Sequence, residues 1–386
     1  MRALLLLSFL MLLTNCNTTS KIFDSGQAEL KNNIETIELD YISDMPFVKV
    51  NIQGKTYNFL FDTGAPTVIS SQIFQDLGLK KKAQGKVTDS QKNSKQQIFT
   101  LIPEMHVGAI TFHDIGAIVL DFESPEFKCL QMDGILGANQ MAKLFWRIDY
   151  SKRTAEATKT RTSFMPDRYQ YELPFTTKDT KTPVIATELF NRKLGFTFDT
   201  GYSGFLSTIR PTDLDQYDYI SYKGSKSVGA FGTSKQDIFY QIKADDFKIH
   251  RDTFRNIIVE TGASNLIGNK FLKNFVFILD WWGNKVYLDA IGTDLRPSLK
   301  TYGFSYRFYE NHPIISSVVE NSDSPLQIGD IILQINNRSF ENLNEEASCK
   351  YMLHRIENDT DSIHIKVKRN NEVSNFVLHR QEYFKF

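Results

Sequence analysis

Residues 59–70 read Phe-Leu-Phe-Asp-Thr-Gly-Ala-Pro-Thr-Val-Ile-Ser, and residues 196–207 read Phe-Thr-Phe-Asp-Thr-Gly-Tyr-Ser-Gly-Phe-Leu-Ser. In each, an apolar strand-like run ends at Asp-Thr-Gly and is followed by a short turn, two more apolar residues and a serine. An aspartate at the end of a buried strand is costly unless it has a task there. Asp62 and Asp199 are therefore the residues to explain. They stand 137 residues apart. Further on, Ile135-Leu136-Gly137 and Leu266-Ile267-Gly268 stand 131 apart, as do the acidic-aromatic pairs Asp149-Tyr150 and Asp280-Trp281. Upstream, Ile34-Glu35-Thr36-Ile37 has a counterpart in Tyr171-Glu172-Leu173-Pro174. Self-similarity on this scale points to two structural copies rather than a short-period solenoid.

The rest of the chain sets bounds on function. At 386 residues it is long enough for two or three domains. Its 30 Phe and 16 Tyr favour strands. Lys+Arg and Asp+Glu are equal at 45 each, which leaves no net positive field to draw nucleic acid. His106 and His113 have no partners at ligand spacing, so no metal is expected. Arg2, the apolar run from Ala3 to Leu13, and Leu13-Thr14-Asn15-Cys16 resemble a bacterial lipoprotein signal, with residues 1–15 removed and Cys16 lipidated. Asn15 departs from the small residue usual before that cysteine, so simple secretion is the alternative. Cys129 and Cys349 fall in different expected domains and read as unpaired small apolar residues.

Residues 16–33 are polar and read as a tether. Val48, Val50 and Ile52 alternate as a half-buried strand, Gln53-Gly54-Lys55 turns, and Tyr57 to Phe61 returns. Ser71 to Leu79 has the spacing of a short helix. Residues 81–97 suit a polar hairpin arm, and Gly224, Gly229 and Gly232 permit a mobile hairpin at the corresponding place in the second copy. Residues 151–170 read as a connection between lobes, giving lobes at 34–165 and 166–292. A third unit spans 300–386. It has strand patterns around Ile314, Ile331, Ile363 and Val373, and a helical pattern from Leu343 to Ile356.

Paired aspartates suit water-driven hydrolysis of a peptide bond, which needs an activated water and a proton donor. Two close carboxylates cannot both be charged, so one pKa rises and the other falls. The pair titrates as a unit, and sequence alone does not assign acid and base. Gly64 and Gly201 let the backbone approach each carboxylate. The Thr63 and Thr200 hydroxyls are placed to bond across to the opposite lobe.

Two Asp-Thr-Gly loops, each followed downstream by apolar-apolar-Gly, resemble the pepsin and retropepsin superfamily of aspartic proteases. The resemblance covers residues 34–291. It implies a mostly β fold: two retropepsin-like β-barrel lobes form a pseudo-dimer, with Asp62 and Asp199 as the catalytic dyad and Thr63, Gly64, Thr200 and Gly201 as supporting loops. It implies no cofactor and no metal. A hairpin flap would cover the cleft, with Phe99, Phe231 and Tyr240 as candidate flap aromatics. Ala65 and Tyr202 stand where the family often has a hydroxyl residue. Fewer hydrogen bonds to the ionised dyad would then shift activity to less acidic pH than pepsin's.

The C-terminal unit is similar to a small α+β PDZ domain through Tyr302-Gly303-Phe304, Ser324-Pro325-Leu326, Gly329-Asp330-Ile331-Ile332 and Ile335-Asn336-Asn337. PDZ domains bind extended peptides at a sheet edge, often by the C-terminal carboxylate. Gly303 and Phe304 would belong to that peptide-binding loop. The sequence thus predicts an exported aspartic endopeptidase of the bacterial cell envelope, in the periplasm or at the outer membrane. Polypeptides are the substrates, the membrane is reached through a lipid anchor, and no nucleic acid is bound. The rival is a non-catalytic peptide-binding lipoprotein that keeps the protease fold.

Overall fold

A computed structural model describes residues 14–164, 169–225, 228–233, 238–292, 300–320 and 324–384. Of the expected signal residues 1–15, the first 13 lie outside the described residues, as does the 293–297 stretch. The fold is mostly β.

Its centre is a six-stranded antiparallel run in which strands from the two sequence copies meet. From one edge the order is Ile34–Glu38, Thr154–Thr158, Phe145–Asp149, Phe275–Asp280, Lys285–Ala290 and Tyr171–Thr177. The last three are the counterparts of the first three, in reversed order. The 131-residue spacing of the acidic-aromatic pairs arises here, because Phe145–Asp149 and Phe275–Asp280 are neighbours at the middle of the run. Trp146, Ile148, Phe277 and Leu279 are buried in one core that serves both copies.

On each side of this run the two copies repeat one connection. In the first, Met45–Ile52 and Lys55–Asp62 form a hairpin, and Gly134–Gly137 returns parallel to the second strand, with Gly137 opposite Asp62. In the second, Pro183–Leu189 and Arg192–Phe198 form the hairpin, and Leu266–Ile267 returns parallel, with Ile267 opposite Phe198. Phe59, Phe61, Phe196 and Phe198 are fully buried, so the apolar lead-ins anchor both aspartate loops on rigid strands.

The C-terminal unit has its own core, built from Tyr306, Phe308, Ile315, Ile332, Ile335, Ile363, Ile365 and Val367. Its helix Glu345–Leu353 is capped by the Asn344 side chain, which accepts from the Ala347 N–H. Strand Tyr219–Gly224 of the second copy extends this unit's sheet by pairing Tyr222, Lys223 and Gly224 with Val319, Val318 and Ser317.

Three expectations are corrected. Residues 16–33 are not a tether. Helix Thr14–Asp24 and strand Gln27–Leu30 belong to the fold, the strand pairing with Ile110–Val119, and Ile22 and Phe23 are buried. Two large apolar residues on one face outweigh the polar composition around them. The stretch 151–170 is not merely a connection, since Thr154–Thr158 is a strand of the central run. Cys129 and Cys349 are not unpaired. They form a disulfide that joins the short helix Pro125–Cys129 to helix Glu345–Leu353.

Candidate active site

The two Asp-Thr-Gly loops face each other across the seam between the copies. The Thr63 N–H donates to Thr200 Oγ1 at 3.0 Å, and the Thr200 N–H donates to Thr63 Oγ1 at 3.1 Å. Each hydroxyl in turn donates across the seam: Thr63 Oγ1 to the Phe198 carbonyl at 2.5 Å, and Thr200 Oγ1 to the Phe61 carbonyl at 2.7 Å. Both threonines are fully buried. These four bonds lock the loops in one relative position.

The lock sets the acids side by side. The Asp62 and Asp199 carboxyl groups lie within hydrogen-bonding reach of each other. Each packs against the other loop's glycine: a Cβ on Gly64 would lie 2.4 Å from Asp199 Cγ, and one on Gly201 would lie 2.3 Å from Asp62 Cγ. No side chain larger than hydrogen fits there. Within each loop the glycine N–H donates to its own aspartate, Gly64 to Asp62 at 2.6 Å and Gly201 to Asp199 at 2.9 Å.

Burial, and next the Asp62 charge, hold the Asp199 carboxyl well above the usual carboxylate range. The Gly201 N–H and the Lys178 charge oppose this. Burial also raises Asp62, but the N–H groups of Gly64, Ala65 and Gly201 and the hydrogen bond with Asp199 pull it back. Burial therefore favours the protonated form of both carboxyls, which titrate as a unit.

The downstream glycine motifs brace the loops. A Cβ on Gly137 would lie 2.1 Å from the Pro66 carbonyl carbon, and one on Gly268 would lie 2.4 Å from the Gly204 oxygen. Buried Asn139 accepts from the Thr67 N–H and hydroxyl. Buried Asn269 donates to the Thr200 carbonyl at 2.6 Å and accepts from the Tyr150 hydroxyl at 2.9 Å. Tyr150 feels the charge of both aspartates, though burial is the main reason its phenol stays protonated.

Sequence reading singled out Tyr150 only as a marker of the repeat and missed both asparagines, whose signal was no more than their place within two residues of each glycine. It also missed Lys178, whose ammonium donates to Thr197 Oγ1 at 3.2 Å and whose charge acts on Asp199. Tyr202, where a hydroxyl residue was looked for, packs on Gly204 and Gly268 and reaches Glu260 and Ser207 with its phenol.

The polar arm is the hairpin of Ala83–Thr88 and Ser94–Val107, and its tip crosses to the second copy. The Phe231 N–H donates to Asp89 Oδ2 at 2.9 Å, and the Ser264 hydroxyl donates to the Ser90 carbonyl at 2.9 Å. These two contacts put the tip on the second copy's side of the seam. Of the candidate flap aromatics, Phe231 meets the arm and lies under the Lys95 ammonium. Phe99 is buried in the first copy, and Tyr240 lies under Arg210. Phe304 begins strand Phe304–Tyr309 of the C-terminal unit, and Gly303, just before it, accepts from the Val319 N–H through its carbonyl. They are not part of the aspartate site.

Residues 48–140 match the aspartyl protease family. The chain carries an aspartyl-protease-like domain. The match contains Asp62, Thr63, Gly64 and Gly137 and ends before the second copy. No curated protein matches the chain. Among the described residues there is no cluster of His, Cys, Asp and Glu able to hold a metal ion, and no helix long and apolar enough to cross a membrane.

Proposed function

We propose that this protein is an aspartic endopeptidase of the bacterial cell envelope, a single-chain pseudo-dimer of retropepsin-like lobes with a PDZ-like domain. The observation that carries the reading is the reciprocal threonine lock, which seats each carboxyl against the opposite glycine and the two acids within reach of one another. Such a pair can hold one water and one proton between them.

In this mechanism the ionised member of the Asp62–Asp199 pair takes a proton from the water as it attacks the scissile carbonyl. The protonated member gives its proton to the carbonyl oxygen, and a tetrahedral diol forms. Proton return from the first carboxyl to the nitrogen expels the amine, while the second recovers its proton as the carbonyl reforms. The arm hairpin covers the substrate, and polypeptides bind extended along the seam. Export follows from residues 1–15, and Cys16 would carry the lipid that anchors the chain to the membrane.

The test is a map of cleavage sites in a denatured proteome with and without pepstatin, a transition-state mimic. Pepstatin-blocked cuts support the reading. Absence of any pepstatin-sensitive cut leaves the non-catalytic peptide-binding alternative. A pH–rate profile confined to strongly acidic conditions would contradict the raised carboxyl pair.

A further inference from the structure

The C-terminal unit is held by a piece of the first copy that meets two of its elements at once. The short helix Pro125–Cys129 reaches helix Glu345–Leu353 through the Cys129–Cys349 disulfide. It reaches strand Phe304–Tyr309 through Glu126, whose Oε1 accepts from Arg307 Nε at 2.8 Å and lies 2.7 Å from Nη2. The two partners of that ion pair are about three-quarters covered. Phe122, Phe127 and Leu353 pack on one apolar cluster, so both sides share a dry contact. Just beyond the helix, Arg355 donates to the Tyr306 carbonyl at 3.1 Å and lies over the Tyr306 ring at 4.3 Å. Arg355 thus packs on the buried Tyr306 ring beside the helix, while neighbouring Arg307 faces Glu126. The buried Glu126 Oε2 has no hydrogen-bond partner among the described residues. A structural ion pair selected for stability alone would satisfy that oxygen.

Resting on the PDZ-like reading of this unit, we infer that the chain's own residues 122–130 occupy its peptide groove, beside strand Phe304–Tyr309 and helix Glu345–Leu353, as an acidic self-ligand locked by the disulfide. Arg307 is the carboxylate anchor, since its planar fork suits a carboxylate better than a lysine would. Glu126 supplies that carboxylate in the closed state. Opening takes a dithiol reductant: each cysteine sulfur gains a hydrogen as a thiol, and the dithiol closes to its own disulfide. Without the covalent tie, residues 122–130 compete with an incoming acidic segment only through their high local concentration.

The probe is a synthetic peptide of residues 122–130 with serine at the cysteine position, read by fluorescence anisotropy. Its receptor is the full chain carrying Cys129→Ser and Glu126→Ala, which disarms the internal segment and leaves Arg307 in place. The peptide is expected to bind this variant at least about tenfold tighter than it binds the oxidised parent. Adding Arg307→Ala, or replacing the peptide's glutamate by glutamine, is expected to remove that gain. Equal binding to variant and parent overturns the inference, as does a gain that survives both changes.

Hydrogen exchange on the unaltered chain gives an independent reading. On reduction with dithiothreitol, residues 122–130 are expected to lose protection, while 304–309, paired with 312–319, and 59–62 and 196–199 keep theirs. Protection at 122–130 that survives reduction contradicts a self-ligand held by the disulfide. The readout is binding and exchange, so the outcome is separate from any result on peptide cleavage.

Discussion

Asp62 and Asp199 are carboxyls kept in a place that penalises their charge, and that penalty has a measurable sign. Asp199 keeps its proton in the folded state to a pH well above that of the unfolded chain, where an aspartate titrates near about 3.9. Between those two values the folded state binds more protons, so stability falls as pH rises through the window. Asp199→Asn removes the cost while its amide oxygen can still accept from Gly201. Its melting temperature is predicted to exceed the wild type's at pH 7, and the gap to close below about pH 4. A thermal shift independent of pH would contradict the raised carboxyl. At Thr200 the issue is hydrogen-bond supply. Thr200→Val orphans the Thr63 N–H and the Phe61 carbonyl, both inside the seam. A destabilisation of about 2 kcal/mol or more is predicted from denaturant unfolding, together with loss of cleavage.

At the scale of elements, the strands that return beside each aspartate loop matter most. Gly137→Ala places a methyl 2.1 Å from the Pro66 carbonyl carbon, and backbone cannot yield as a flexible side chain can. A loss of about 3 kcal/mol is predicted, measurable by chemical denaturation. Tyr150→Phe removes the hydroxyl that steadies Asn269, and with it the Thr200 carbonyl contact. A loss of about 1 kcal/mol is predicted, with a fall in kcat larger than any change in KM.

What the sequence made legible here was what period and punctuation encode: the hairpin before Asp62, the strand before Asp199 and the strands around Ile314 and Ile363. Thr154–Thr158 stayed hidden because its inward residues are Ala155 and Ala157. They alternate correctly but carry little strand preference. Ile22 and Phe23 stayed hidden because two apolar residues in a polar stretch show no period at all. The asparagines after each glycine were invisible because their role is to bond backbone groups far away in the chain.

For the whole molecule, the repeat in sequence became a run of six strands in which each copy supplies three, so neither copy buries its edge without the other. The cross-link that ties the C-terminal unit to the first copy had no local signal, since its cysteines are 220 residues apart. Closing so long a loop restricts the unfolded chain, and the chain-entropy estimate for its loss is at most about 5 kcal/mol. Reduction is therefore predicted to lower the melting temperature, and an unchanged melting temperature would show that the tie contributes nothing to the native balance.

The central claim is that two acids from the two copies act as one catalytic group. It is tested most directly by comparing wild type, Asp62→Asn and Asp199→Asn on a denatured protein substrate between pH 4 and 7, with circular dichroism as the check on folding. The account predicts that each single substitution cuts the cleavage rate by about 10²–10⁴-fold with the fold intact. Wild-type cleavage surviving in either folded variant would contradict it.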